Sequence, residues 1–345
     1  MKFLIVIFFP ILVIIYFIHL LILLLRNKLY DYNILKRYRF EDINIISIGS
    51  LKFGGAGKTP LVEYIINILP KNKIAVLSRG YKRKSFGFIV AKNNHSAFDV
   101  GDELNMIAKK NKNIIVAADE NRQRGVNEII KNNKVKTIIL DDAHQHRKLK
   151  KNLKIIVTEY DNLYSDDFLF PLGKLRENRS GAKRAKIIVV TKCPKNITKR
   201  NRSDISKKLS LSKNQKIFFS HINSYKFIRN EQIINLDSTK KYFLVTGIAS
   251  SKLLTEKLHQ LTINFTHFSF KDHHYFKKSE IDNLITIAKK RNINNLIVTE
   301  KDYYRLSKDN LNLIESYFNL FYSQIEFDFI KEEKLLFNKQ ITKFI

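Results

Sequence analysis

A chain of 345 residues can bury one large core or two smaller ones, which excludes the small scaffolds that depend on disulfide or metal staples. With 62 Lys+Arg against 32 Asp+Glu, the formal net charge of +30 suits anionic partners such as a phospholipid surface or a phosphorylated substrate. The basic residues are spread along the whole chain, however, and lysine filling solvated surface accounts for them equally well, so charge alone selects no partner. Cys193 is the only cysteine, which excludes an intrachain disulfide and fits a reducing compartment.

Phe3 to Leu25 is an apolar run interrupted only by Pro10, Tyr16 and His19. As a helix it would measure about 34 Å, enough to cross a bilayer core of roughly 30 Å. A secretory signal would have a shorter apolar region followed by small residues at a cleavage site, so residues 1–26 read as a retained membrane anchor. Lys2 precedes the run, whereas Arg26, Lys28, Lys36, Arg37 and Arg39 follow it, which puts everything after residue 26 on the cytoplasmic side.

Beyond the anchor, short β-branched runs alternate with amphipathic stretches. Strands are expected at Ile43–Ile48, Ile74–Leu77, Ile114–Ala117, Thr137–Leu140, Ile155–Val157 and Ile187–Val190, with helices at Leu61–Leu69 and Glu103–Lys110. Continuously apolar strands separated by helices predict an α/β fold with a parallel sheet covered on both faces. A second set follows, with strands at Tyr242–Val245, Phe265–Phe268 and Leu296–Val298 and helices at Ser251–Leu261 and Ser279–Lys290. The chain therefore divides into a core over 27–220 and a smaller C-terminal α/β lobe over 221–345, with the polar stretches Lys195–Lys216 and His221–Lys240 as the connection.

The run Gly54-Gly55-Ala56-Gly57-Lys58-Thr59-Pro60 sits directly behind the first strand. A strand, a glycine turn and a helix opened by Lys-Thr is how a chain builds a phosphate cradle: inward-facing amides and the positive helix end meet the anion. Lys58 is placed to reach the β/γ-phosphates of a nucleotide and Thr59 to take a position on Mg²⁺. The strict pattern requires Gly six residues before the lysine, where this chain has Lys52.

Thr137–Leu140 ends in Asp141-Asp142, and in a P-loop sheet such a strand neighbours the glycine loop. Oxygen-only coordination suits Mg²⁺, with Asp141 as the first choice of ligand and Asp142 beside it. Asp99-Val100-Gly101-Asp102-Glu103 places acids ahead of a helix, where capping is their ordinary use. Asp272-His273-His274-Tyr275 lies in a loop of the second unit. His144, His146, His273 and His274 match no zinc spacing, and no thiolate joins them. A guanine reader would need Asp where Thr191-Lys192-Cys193 is followed by Pro194, so nucleotide use is of the adenine type or non-discriminating. No recognisable nucleic-acid-binding module is present in the sequence.

The ordered set of motifs resembles one family, the lipid A tetraacyldisaccharide 4′-kinases. The matching residues run from Gly49-Ser50-Leu51 through Pro60, then Ser78-Arg79-Gly80-Tyr81, Gly101-Asp102-Glu103, Arg122, and Asp141-Asp142 with Gln145-His146. After these come Pro171-Leu172-Gly173, Leu175-Arg176-Glu177, Asp272-His273 and Thr299-Glu300-Lys301-Asp302. That family's glycine loop also lacks the early Gly, which accounts for Lys52. Departures are Ser50 for Asn, Leu104 for Pro, and Ala143 where a Gly usually follows the Asp pair.

The resemblance implies a P-loop kinase of the inner membrane that moves the γ-phosphoryl of ATP, with Mg²⁺, to the 4′-hydroxyl of an acylated disaccharide 1-phosphate lipid. By the same resemblance Asp102 and His273 pair to activate the sugar hydroxyl, without deciding which takes the proton, and Arg79, Glu103 and Arg122 contact substrate or phosphate. The competing expectation is a membrane-anchored P-loop ATPase that couples hydrolysis to a conformational change.

Overall fold

The computed structural model describes residues 2–132 and 134–344, with side chains from Phe9 onward and excluding that of Asn132. The charge reading at Lys2 therefore rests on a side chain outside the described residues. The strands are β1 (Asn44–Gly49), β2 (Ile74–Ser78), β3 (Ile89–Val90), β4 (Ile115–Ala118), β5 (Thr137–Leu140), β6 (Leu153–Glu159) and β7 (Ile187–Thr191). They continue as β8 (Lys216–Arg229), β9 (Gln232–Ile234), β10 (Lys241–Thr246), β11 (Asn264–Ser269), β12 (Asn295–Thr299) and β13 (Asn319–Phe329).

All belong to one sheet, ordered β11-β10-β12-β13-β8-β7-β6-β1-β5-β2-β4-β3, with β9 paired to β8 off this path. Each strand expected from the sequence is present, and each of their mutual pairings is parallel. Their side chains are buried on both faces in β2, β5, β7 and β12, which is why those segments read as unbroken apolar runs. Helices at Lys58–Ile68 and Asp102–Lys110 supply Leu61, Val62, Ile65, Ile66, Leu104 and Ile107 to the core on one face.

The segment expected to connect the two units differs from that expectation. It carries β8, whose first residues pair in parallel with β7 while Ser220–Ile228 pair antiparallel with β13. The two halves of the chain therefore share a continuous sheet through this strand. Its Ser-His-Ile-Asn-Ser-Tyr-Lys stretch separates its apolar residues by pairs of polar ones and forms neither an apolar run nor a period-two pattern. The C-terminal helix Lys331–Thr342 returns to the first core, where Phe337 stacks on Phe329 at 4.1 Å and meets Phe218 edge-on at 5.3 Å.

The N-terminal helix runs from Lys2 to Asp31. Its Phe9–Asp31 portion, with mean hydropathy 2.5, is by length and composition able to cross a membrane. The helix also touches the folded body: Tyr16, Leu20 and Leu23 pack on a buried cluster, and Asn27 donates to Glu177 at 2.9 Å.

Candidate active site

β1 lies between β5 and β6, so the turn that follows it emerges at the carboxyl edge of three adjacent parallel strands. Gly57 has φ +80 and closes the turn as the residue preceding the Lys58–Ile68 helix. The backbone angle favours glycine, and a Cβ there would meet the Thr191 side chain at 3.3 Å, close enough that Thr191 would have to give way. The loop is held from β7: Thr191 Oγ1 donates to Ala56 O at 2.9 Å and Lys192 Nζ to Gly55 O at 3.1 Å. Neither support was identified from sequence, where Thr191-Lys192 figured only as a failed guanine signature.

Lys52, at the position where the strict motif has Gly, points away from the loop's interior. Its buried ammonium bonds Asn162 and Asp167, the latter at 2.7 Å. At this position lysine ties the loop to the segment beyond β6.

Gly54, Gly55 and Ala56 form the turn, and Lys58 Nζ lies 3.5 Å from Asp142 Oδ1. Arg176 Nη1 donates to the other Asp142 oxygen at 2.7 Å. Burial raises the Asp142 carboxyl, but Lys58 and Arg176 outweigh it and hold the group below its usual range. Asp141 is wholly buried, and neither carboxylate oxygen has a hydrogen-bond partner among the described residues. Burial, then the nearby charges of Glu103 and Asp142, push its carboxyl up to about 7. An unpartnered buried carboxylate beside other acids is what a hard cation relieves, so the oxygen donors Thr59, Asp141 and Asp142 fit Mg²⁺.

Asp102 and Glu103 open the Asp102–Lys110 helix behind Gly101, whose φ is +90. Gly101 and Gly80 are in close backbone approach: a Cβ on Gly101 would meet Gly80 Cα at 3.0 Å. This packs the Ser78-Arg79-Gly80-Tyr81 loop against the helix start. The two acids then diverge. Glu103 Oε1 accepts from Thr59 Oγ1 at 3.1 Å and from Lys301 Nζ at 2.7 Å. Asp102 Oδ2 meets His273 Nδ1 at 2.7 Å and Arg305 Nη2 at 2.8 Å.

Both acids are held ionised. Burial opposes this at Asp102, but the His273 hydrogen bond and the Arg305 charge bring its carboxyl far below the usual range. At Glu103 burial is likewise overcome by Lys301 and Lys58. The two acids lie in the first turn, but the N-cap is Gly101 and no side chain caps it; they contact both halves of the sheet instead.

Arg305 carried no signal in the sequence reading. Its side chain is fully buried and also bonds Asp302 at 2.7 Å and Gly247 O at 3.1 Å. Asp302, from the Thr299-Glu300-Lys301-Asp302 run, accepts from Gly247 N at 3.0 Å and from Thr299 Oγ1 at 2.6 Å. Arg305 thus links Asp102 to the turn that precedes the His273 loop. His273 itself sits at φ +59, with the Tyr81 ring edge-on at 5.1 Å.

Arg122 is buried with Nε unbonded, and burial together with Arg79 lowers its guanidinium to about 10. Arg79 is exposed. The structure brings Lys58, Thr59, Asp142 and Glu103 into one contact chain and Asp102 with His273 into another. Arg79 and Arg122 share an electrostatic neighbourhood with the Asp141-Asp142 pair. Among the described residues, no cluster of three His, Cys, Asp or Glu forms a ready-made metal cage.

A glycine loop between a parallel strand and a helix, flanked by a strand ending in acids, defines an α/β protein of the P-loop kinase type. The model of the tetraacyldisaccharide-1-P 4′-kinase family matches residues 8–344, and the chain belongs to that family. It is 42% identical over 319 residues to the tetraacyldisaccharide 4′-kinase of Flavobacterium johnsoniae, covering 91% of both chains. It is 36% identical over 339 residues to the enzyme of that name from Phocaeicola vulgatus, covering 93% of this chain and 91% of the relative. Among solved structures, LpxK from Aquifex aeolicus in complex with ATP superposes with a TM-score of 0.72 at 26% identity, covering 97% of this chain and 98% of the other.

Proposed function

We propose that this chain transfers the γ-phosphoryl group of ATP to the 4′-hydroxyl of an acylated disaccharide 1-phosphate, a step of lipid A assembly. Family membership supports the reaction class. The observation that carries the site is the divergence of Asp102 and Glu103, adjacent residues that engage His273 and the glycine-loop Thr59 respectively.

The Lys58 ammonium and the loop amides, apart from that of Ala56, which donates to Gly54 O at 3.0 Å, hold the phosphates. Thr59 with Asp141 or Asp142 would hold Mg²⁺, which would supply neutralisation of phosphate charge. Asp102, kept ionised, fixes the His273 ring through Nδ1 and leaves Nε2 to receive the hydroxyl proton, so the two act as a unit. Arg79 and Arg122 are assigned to a substrate phosphate, with the unbonded Arg122 Nε as the available donor. Glu103 already accepts two donors, so we assign it to positioning Thr59 and Lys301.

The donor loop lies on one side of the proposed 220/221 division and the His273 loop on the other, with β8 running through that point and joining the two halves. We place the protein on the cytoplasmic face of the inner membrane, anchored by its N-terminal helix. The acyl chains would lie along exposed Phe53 and Phe170, which pack edge-on beside His19 of that helix. The test is ATP consumption with and without the acylated disaccharide. Glycolipid-dependent turnover that disappears in Lys58→Ala supports the kinase; equal hydrolysis without glycolipid supports the ATPase reading instead.

A further inference from the structure

Behind the Asp141–Arg147 loop, where the N-terminal helix ends, lies a polar cavity of about 290 Å³. Its lining includes six cations: Arg37, Arg147, Lys150, Lys151, Lys154 and Arg184. Two have carboxylate partners, Arg147 with Asp31 at 2.5 Å and Arg184 with Glu177 at 2.7 Å. The other four have no carboxylate partner among the described residues. Arg37 Nε is buried without a hydrogen bond, and so is Nδ1 of His144 on the cavity wall. Burial and the neighbouring cations depress both Lys151 and Lys154. Six basic side chains against the two carboxylates Asp31 and Glu177 leave the cavity with an excess of positive groups, which a bound anion would offset.

We propose that this cavity is a binding site for a phosphate-class oxyanion, either a phospholipid headgroup or soluble phosphate. The membrane-length helix adjoins it, since Asn27 O and Asp31 both accept from Arg147. Lys151 connects it to the loop of the Asp pair by donating to Ala143 O at 2.7 Å and to His146 O. None of the six cations takes part in the proposed transfer, so site and reaction are tested separately.

The experiment uses the full chain in detergent, with a non-hydrolysable ATP analogue saturating the glycine loop. Inorganic phosphate is titrated and thermal unfolding followed, for wild type, Lys150→Gln and the Lys150→Gln/Lys154→Gln double variant. In parallel, cosedimentation compares vesicles of phosphatidylcholine with vesicles that also contain phosphatidylglycerol.

Charge-assisted contacts of this kind predict at least roughly tenfold weaker anion binding in the double variant. They also predict that, without anion, the double variant melts above wild type because repulsion is relieved. Phosphate protection lost in the variants supports the site with soluble phosphate as ligand. A preference for phosphatidylglycerol that the variants lose, without phosphate protection, supports the headgroup. Absence of both effects in wild type, or their survival in a double variant still stabilised normally by the ATP analogue, overturns the proposal.

Discussion

Arg305→Met isolates the contribution of one buried guanidinium to both stability and chemistry. In the folded chain this group is fully buried and bonds two carboxylates and two backbone carbonyls. Methionine fills much of the volume but leaves Asp302, already raised by burial, without its main counter-charge, and leaves Asp102 with only His273 and the Glu103 backbone N–H. Removing one member of a buried ionic cluster costs about 3–5 kcal/mol, because the remaining charge stays desolvated. Arg305→Lys should recover little, since a single ammonium cannot serve Asp102 and Asp302 through a planar fork. Urea denaturation supplies the stability change. Single-turnover phosphoryl transfer at a temperature where both variants are folded supplies the chemical one, with kcat falling and the KM for ATP nearly unchanged. A loss below about 1 kcal/mol together with wild-type kcat would refute the reasoning that Arg305 orders the Asp102–His273 pair.

Asp102→Ala and His273→Ala should each slow transfer strongly, and the double variant should be little worse than the slower single one. Additive losses would mean that the pair does not act as a unit. Asp141→Asn should abolish Mg²⁺-supported transfer yet stabilise the metal-free chain at pH 8. A carboxyl raised to about 7 in the folded state disfavours folding as pH rises from about 4 to 7, by a few kcal/mol at completion. Calorimetry with and without Mg²⁺ checks both signs, and a metal-free variant less stable than wild type counts against the unpartnered carboxylate. Burial, reinforced by Lys151 and Arg122, holds the His146 imidazole down at about 4. The unfolded chain accepts that proton near pH 6.5 and the folded chain does not, so stability falls as pH drops from about 6.5 towards 4. The loss reaches about 2 kcal/mol once part exposure is allowed for, and His146→Gln should flatten this limb in acid denaturation.

Much of the fold was legible because the parallel strands are buried on both faces and bounded by turns. The expected strands appear within a residue or two, and the glycine loop, the acid-ended strand and the membrane-length helix were readable from local pattern. β8 and β13 were not: β8 puts two polar residues between its apolar ones over Ser220–Tyr225, and β13 is only partly buried or exposed over Gln324–Asp328 and bulged at Glu326/Phe327. The missed strand mattered: it makes the expected connection part of a continuous sheet. At the site, individual acids and histidines were visible, and the Asp102–His273 pairing came through family resemblance. Arg305, Thr191, Lys192 and Lys301 gained meaning only from tertiary contact. Their partners lie far away in sequence, so no local spacing could mark them. Lys52 was legible as an anomaly, but its ion pair with Asp167 was not.

Incubating the purified full chain with ATP, Mg²⁺ and an acylated glucosamine disaccharide 1-phosphate, and locating the new phosphate by mass spectrometry, reads both the transfer and its acceptor position. One added phosphate on the 4′-oxygen is expected, absent in Lys58→Ala. ATP hydrolysis without phosphorylated lipid, or a phosphate carried at another position, would contradict the proposed transfer.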